Sequence, residues 1–108
     1  MAHTRMRTFN TRETYPEQNL DNDLSQGVVA RGATVFLRGQ VSQDLDSRDS
    51  LHAGDPALQT QKTMENIEQL LKEAGSCMAH VCRIVVYLTD IRNRESVYQE
   101  MGQWLKGI

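Results

Sequence analysis

The sequence predicts an α+β fold in which two helices cover one face of a sheet. Three observations lead there. Residues 26–31 and 34–40 are short β-like runs separated by Gly32-Ala33. Residues 55–75 carry a helix pattern with both ends marked. Residues 80–88 form a further β-branched run, followed by a second helical stripe. A chain of 108 residues has room for one domain and one core, so residues 1–108 are expected to form a single unit.

Taken in order, residues 5–9 suit a short first strand. Residues 10–24 are polar, with Pro16 and an Asn19-Leu-Asp-Asn-Asp cluster, which is loop chemistry because Asn and Asp side chains imitate backbone turns. Gly32 tolerates the positive φ of a tight hairpin between the next two runs. Residues 41–54 read as a long surface loop. Asp55 can cap free N–H groups and Pro56 suits the first helical position. Ala57, Thr60, Met64, Ile67, Leu71 and Ala74 then follow alternating steps of three and four, and Leu70 widens the stripe. Glu68 and Lys72 can pair across one turn, and Gly75 supplies the stop. After the 80–88 strand, Asn93 is the predicted cap of a helix whose apolar face is Val97, Tyr98, Met101, Trp104 and Leu105, ended by Gly107.

Twelve basic against fourteen acidic residues give a net charge of −2, and such a chain has no field to draw phosphate backbones. Nucleic acid is therefore not an expected partner. No apolar run approaches the ~20 residues needed to span a bilayer, and the N-terminus lacks the apolar core of a secretory signal. A cytoplasmic protein without membrane contact is the expectation. Cys82 reads as a small buried hydrophobe and Cys77 as a loop residue. With His80 between them they match no standard zinc spacing, so no metal is expected.

The strand faces predict assembly. On 80–88, Cys82, Ile84, Val86 and Leu88 make one apolar face, suited to cover by the helices. Val81, Arg83, Val85 and Tyr87 make the other, while Val35 and Leu37 alternate with Phe36, Arg38 and Gln40. Two helices cover only one side of such a sheet, so the second face is expected to meet another subunit.

The strand–strand–helix–strand–helix order contains Ser25-Gln26, Phe36-Leu-Arg-Gly-Gln40, Gln59-Thr-Gln-Lys-Thr-Met-Glu-Asn-Ile67, Leu70-Leu-Lys-Glu-Ala-Gly75 and Val85-Val-Tyr-Leu-Thr-Asp-Ile91. In these words the chain resembles the RidA (reactive-intermediate deaminase, YjgF-like) family from about Leu24 onward. The resemblance implies a chorismate-mutase-like fold with a mixed sheet, two helices on one face, and a homotrimer with clefts between subunits. It implies hydrolysis of reactive 2-imino or enamine acids to 2-keto acids and ammonia, with no cofactor. The alternative it implies is a non-catalytic trimer binding a small carboxylate or a protein partner. RNA cleavage, proposed for some members, is a third reading that the acidic balance opposes.

The resemblance also marks a site. Leu24 stands where deaminating members have tyrosine before Ser-Gln, Arg38 where Ser-Gly-Gln is common, and Arg92 where an asparagine often follows Asp-Ile. Leu24, Arg38, Gly39 and Arg92 are thus the expected substrate-binding residues for a small carboxylate. Arg38 could fork an anionic ligand, or pair across the subunit boundary with an acid of the 44–49 loop. Gly39 could admit a ligand to its backbone N–H or mark a bulge. Arg92 and Arg94 could line a mouth for anions or stand in solvent. Tyr87 reads as interface, Trp104 as core, and neither His52 nor His80 has a partner suggested by spacing. The family's carboxylate-binding arginine and late glutamate belong to a strand-forming segment after the second helix, so residues 1–108 are expected to be a C-terminally incomplete domain, with no catalytic residue assigned in it.

Overall fold

The computed structural model describes residues 3–108. Strand β1 (His3–Asn10) pairs antiparallel with β2 (Asp23–Ala30). Their register runs from His3 opposite Ala30 to Asn10 opposite Asp23. The ladder is interrupted at Arg7, which takes φ 51°, a conformation that costs an L-residue roughly 1–2 kcal/mol. The expected first strand is therefore present, but it is the partner of β2. The 34–40 run makes no ladder with β2 among the described residues. Gly32 does adopt φ 98°, as the turn reading requires, yet no ladder with β2 follows it among the described residues. Alternation predicts a two-faced segment; it cannot supply the neighbour that makes a ladder.

The polar 10–24 stretch holds more than loop. Asn10 caps a one-turn helix, α1 (Thr11–Thr14), by accepting the Arg12 N–H at 2.8 Å. A 3₁₀ turn over Pro16–Gln18 follows, closed by Asn19 in the left-handed region at φ 54°. Thr11 is buried and ties both ends of the connection. Its hydroxyl donates to the Leu20 carbonyl at 2.7 Å and accepts the Asn22 N–H at 2.8 Å.

Helix α2 (Pro56–Glu73) matches its sequence signals. Asp55 accepts the Leu58 N–H at 3.0 Å, Pro56 stands at the first position, and Gly75 takes φ 78°. Glu68 and Lys72 pair at 3.6 Å on the surface. Helix α3 (Arg94–Trp104) begins differently from the prediction. Asn93 makes no capping hydrogen bond; Asp90 instead caps a preceding 3₁₀ turn, Ile91–Asn93, by accepting the Arg92 N–H at 3.0 Å. Asp90 directly precedes the 3₁₀ turn and satisfies an N–H of that turn, so the capping contact sits one turn earlier than the helix start the sequence suggested.

Met64, Val97 and Met101 form the buried centre between α2 and α3, with Ile67, Val86, Leu88, Tyr98 and Trp104 packed around it. Residues 81–88 carry no ladder among the described residues, yet they keep the period of a strand. Val86 and Leu88 face the core, while Val85 (54% exposed) and Tyr87 (91%) face solvent. Cys82 and Ile84, expected under the helices, are exposed, because the helices reach only the last part of this segment. The body measures 40 × 38 × 18 Å, a flat slab. No helix of the described residues is long and apolar enough to cross a membrane.

Candidate functional site

The predicted site residues fall in three places. Leu24 lies on β2 opposite Phe9 and is half exposed. Arg38 and Gly39 are on the exposed 34–40 segment. Arg92 is the middle residue of the 3₁₀ turn before α3. No hydrogen bond or ion pair joins any two of them among the described residues.

Their surroundings differ. The Arg38 guanidinium has no carboxylate partner within the described chain, and only its backbone carbonyl is used, by the Gln40 side-chain amide at 3.0 Å. Gly39 has open space where a Cβ would stand, which argues against close packing as the reason for glycine. Arg92 is committed: its Nε and Nη2 fork Asp90 at 3.0 and 2.8 Å. That fork holds the Asp90 carboxyl below its ordinary range and raises the guanidinium. Arg94 lies over the Tyr98 ring at 4.7 Å. The acids proposed as partners of Arg38 are partly occupied, since Asp44 accepts the N–H groups of Asp46 and Ser47, each at 2.9 Å, and is held ionised by them.

Large apolar side chains are exposed on two segments: Val35, Phe36 (90% exposed), Leu37 and Val41, which flank Arg38 in the chain, and Ile84, Val85 and Tyr87. The 41–51 loop that follows Arg38 is fixed from below by Asn66 of α2. This buried amide donates to the carbonyls of Val41 at 3.2 Å and Gln43 at 2.8 Å.

Two features escaped the sequence reading. Ser76 Oγ lies 3.1 Å from His80 Nδ1, although spacing had suggested no partner for that histidine. More extensive is a polar clasp between the β1–β2 hairpin and the end of α3. Asn10 donates to both Asp21 and Asp23 at 2.8 Å. Lys106 lies 2.6 Å from Asp21, and the Gly107 N–H donates to Asp23 at 2.8 Å. Hydrogen bonds from Lys106 and then Asn10 hold Asp21 below the usual carboxylate range, and Asn10 does so for Asp23. The alternate spacing of Asp21 and Asp23, which puts both on one side of a strand start, was the available signal. Gly102 completes the joint, since the Asn22 side chain lies directly against its α-carbon.

The family model described as Endoribonuclease L-PSP matches residues 17–108. The chain is 32% identical over 84 residues to Protein DfrA of Myxococcus xanthus, covering 77% of this chain and 63% of that protein. It is 33% identical over 72 residues to a RutC family protein of Pyrococcus abyssi (64% and 56% covered). With the RutC family protein UK114 of Drosophila melanogaster it shares 38% over 69 residues (64% and 49% covered). The chain thus spans about half to two-thirds of the length of these relatives. The crystal structure of YyfB from Yersinia pestis, a Rid-family protein of unknown function, superposes with a TM-score of 0.62 at 21% identity, covering 99% of this chain and 78% of that one. That likeness bears out the α+β, Rid-type fold, and with the match of the family model over residues 17–108 it makes the chain a member of the Rid (endoribonuclease L-PSP) family.

Proposed function

We propose that this Rid-family chain works as a homotrimer that hydrolyses small reactive 2-imino or enamine acids, and that Arg38 holds the substrate carboxylate in a cleft between subunits. The observation that carries the reading is the unpaired guanidinium of Arg38, set beside the open backbone of Gly39 and within an uncovered apolar strip.

Surface area supports the assembly. The chain exposes 7898 Å². A compact monomer of 12.3 kDa should expose about 6,100 Å². The excess, about 1,800 Å², is surface available for cover by further chain or by a second subunit. Phe36 and Tyr87, almost fully exposed, are the side chains that gain most from cover.

The chemistry asks little of the protein. A guanidinium fork fixes the carboxylate bidentately and leaves the adjacent C=N carbon exposed to water. Water adds to that carbon, the nitrogen takes a proton, and the C–N bond breaks to release ammonia and a 2-keto acid. Positioning supplies most of the acceleration, with protons relayed through water. Leu24, at the expected edge of the cleft, offers apolar surface and no exchangeable proton. That favours the second reading, a trimer that binds a small carboxylate without turnover. The name of the matching family suggests RNA cleavage, but a net charge of −2 provides no attraction for a phosphate backbone.

The test is semicarbazide trapping of an imine released by an amino-acid oxidase. The reading requires that the protein lower semicarbazone yield and that Arg38→Ala abolish the effect while the oligomer persists. No effect of the native protein, with a carboxylate still bound, leaves the binding reading; neither effect nor binding overturns both.

A further inference from the structure

An open groove of about 330 Å³ lies between the α1 turn and the exposed face of α3, lined by Arg12, Asn19, Asp21, Asn22, Gln99 and Gln103. None of the predicted site residues lines it. Its two charges are opposite but do not close on each other: no ion pair forms between Arg12 and Asp21. They are nevertheless near enough for Arg12 to help hold the Asp21 carboxyl down. Asp21 uses only one oxygen, Oδ1, for both Asn10 and Lys106. Its Oδ2 accepts nothing among the described residues, and neither the Arg12 guanidinium nor the side chains of Asn19 and Gln103 make a hydrogen bond there.

We infer that this groove is a binding site for a free α-amino acid with a polar side chain, distinct from the proposed Arg38 cleft. The ligand carboxylate takes the Arg12 guanidinium, its ammonium takes Asp21 Oδ2, and its polar end meets the amides of Asn19, Gln99 and Gln103. Asp21 shares its charge with Lys106 through Oδ1, so what it offers a ligand is the free acceptor Oδ2, while Arg12 offers donors; a ligand with an ammonium and a carboxylate uses both at once. Its volume lies at the lower end of small-ligand sites, which suits a molecule of this size. Gln99 is held in place by hydrogen bonds from its amide to the Asn19 carbonyl at 3.4 Å and Glu95 at 3.2 Å.

The probe is L-glutamine titrated into the uniformly ¹⁵N-labelled chain. The expected result is saturable shifts at Arg12, Asn22, Gln99 and Gln103 with millimolar affinity. Glutaramate, which lacks the ammonium, and 4-aminobutanamide, which lacks the carboxylate, should each bind at least about tenfold more weakly. Arg12→Gln and Gln103→Ala, both at exposed positions, should each weaken L-glutamine about tenfold while leaving the remaining spectrum folded. Equal binding of either single-charge analogue overturns the two-ended site, and so does an absence of saturable shifts at these residues.

Discussion

The two long helices and the β1–β2 hairpin are attached to the molecule by opposite chemistry. Helices α2 and α3 meet through Met64, Val97 and Met101, with the ends of residues 81–88 beneath them. The hairpin is attached through Asn10, Asp21, Asp23, Lys106 and Gly107, and through the bare α-carbon of Gly102 against Asn22. The first joint is apolar and insensitive to salt and pH. The second is polar, exposed and dependent on charge. A small core and a separate polar clasp predict that one part of the fold loosens without the other.

Four substitutions or conditions would break or sharpen that contrast. The largest effect belongs to the apolar joint: Met64→Ala should cost about 2–5 kcal/mol and unfold both helices together, read by urea denaturation followed by circular dichroism. An unchanged midpoint would show that the helices do not depend on this packing. Next, Gly102→Ala would drive a methyl into Asn22 and cost about 1–3 kcal/mol. Its loss should appear as faster amide exchange in β1 and β2 with α2 unaffected; equal loosening of α2 would merge the two joints into one.

The third is pH. Asp21 and Asp23 have folded-state values below ordinary carboxylates, so their contribution is present above about pH 4 and disappears as pH falls through the lowered values. Lys106 is raised, mainly by its hydrogen bond to Asp21, so its contribution is present below about pH 10 and disappears as pH climbs through the raised value. Hairpin amides should therefore be best protected between those limits, and Lys106→Met should flatten the alkaline limb. A profile that stays flat in the native protein would refute the clasp. Smallest of all on the single chain is Phe36→Ser with Tyr87→Ser, expected to change monomer stability by less than about 0.5 kcal/mol because both rings are in solvent. If the proposed trimer forms, the same pair should convert it to monomers by sedimentation; a persisting trimer would place the interface elsewhere.

The apolar joint was readable from the chain because its information is local. Asp55-Pro56, the Thr60–Met64–Leu71 stripe and Gly75 all declare a helix within a few residues of themselves. The clasp was not readable, since Lys106 meets Asp21 across 85 positions, and Asp21 and Asn10 on their own look like turn residues. Asn66 shows the same limit. Within the stripe pattern it is an ordinary polar helix residue, yet it is buried as the anchor of the 41–51 loop. Of the candidate site, alternation on 34–40 foresaw one uncovered face carrying Phe36 and Arg38, but Val35 and Leu37 on the opposite face are exposed as well, because no ladder or helix covers this segment among the described residues. The Arg92–Asp90 fork was available in the Asp-Ile-Arg spacing but competed with the reading of Arg92 as a free cation.

Residues 84–88 hold a tape glued on one side. Val86 and Leu88 are seated in the core while Val85 and Tyr87 wait in solvent, so the backbone between them is already extended and oriented before anything arrives. For an incoming surface this is preorganisation. Most of the conformational entropy of that stretch is lost during folding of the helices, and association need not lose it again. A mutation that unseats Val86 should therefore weaken the proposed assembly from the far side of the segment, without touching a residue of the proposed interface.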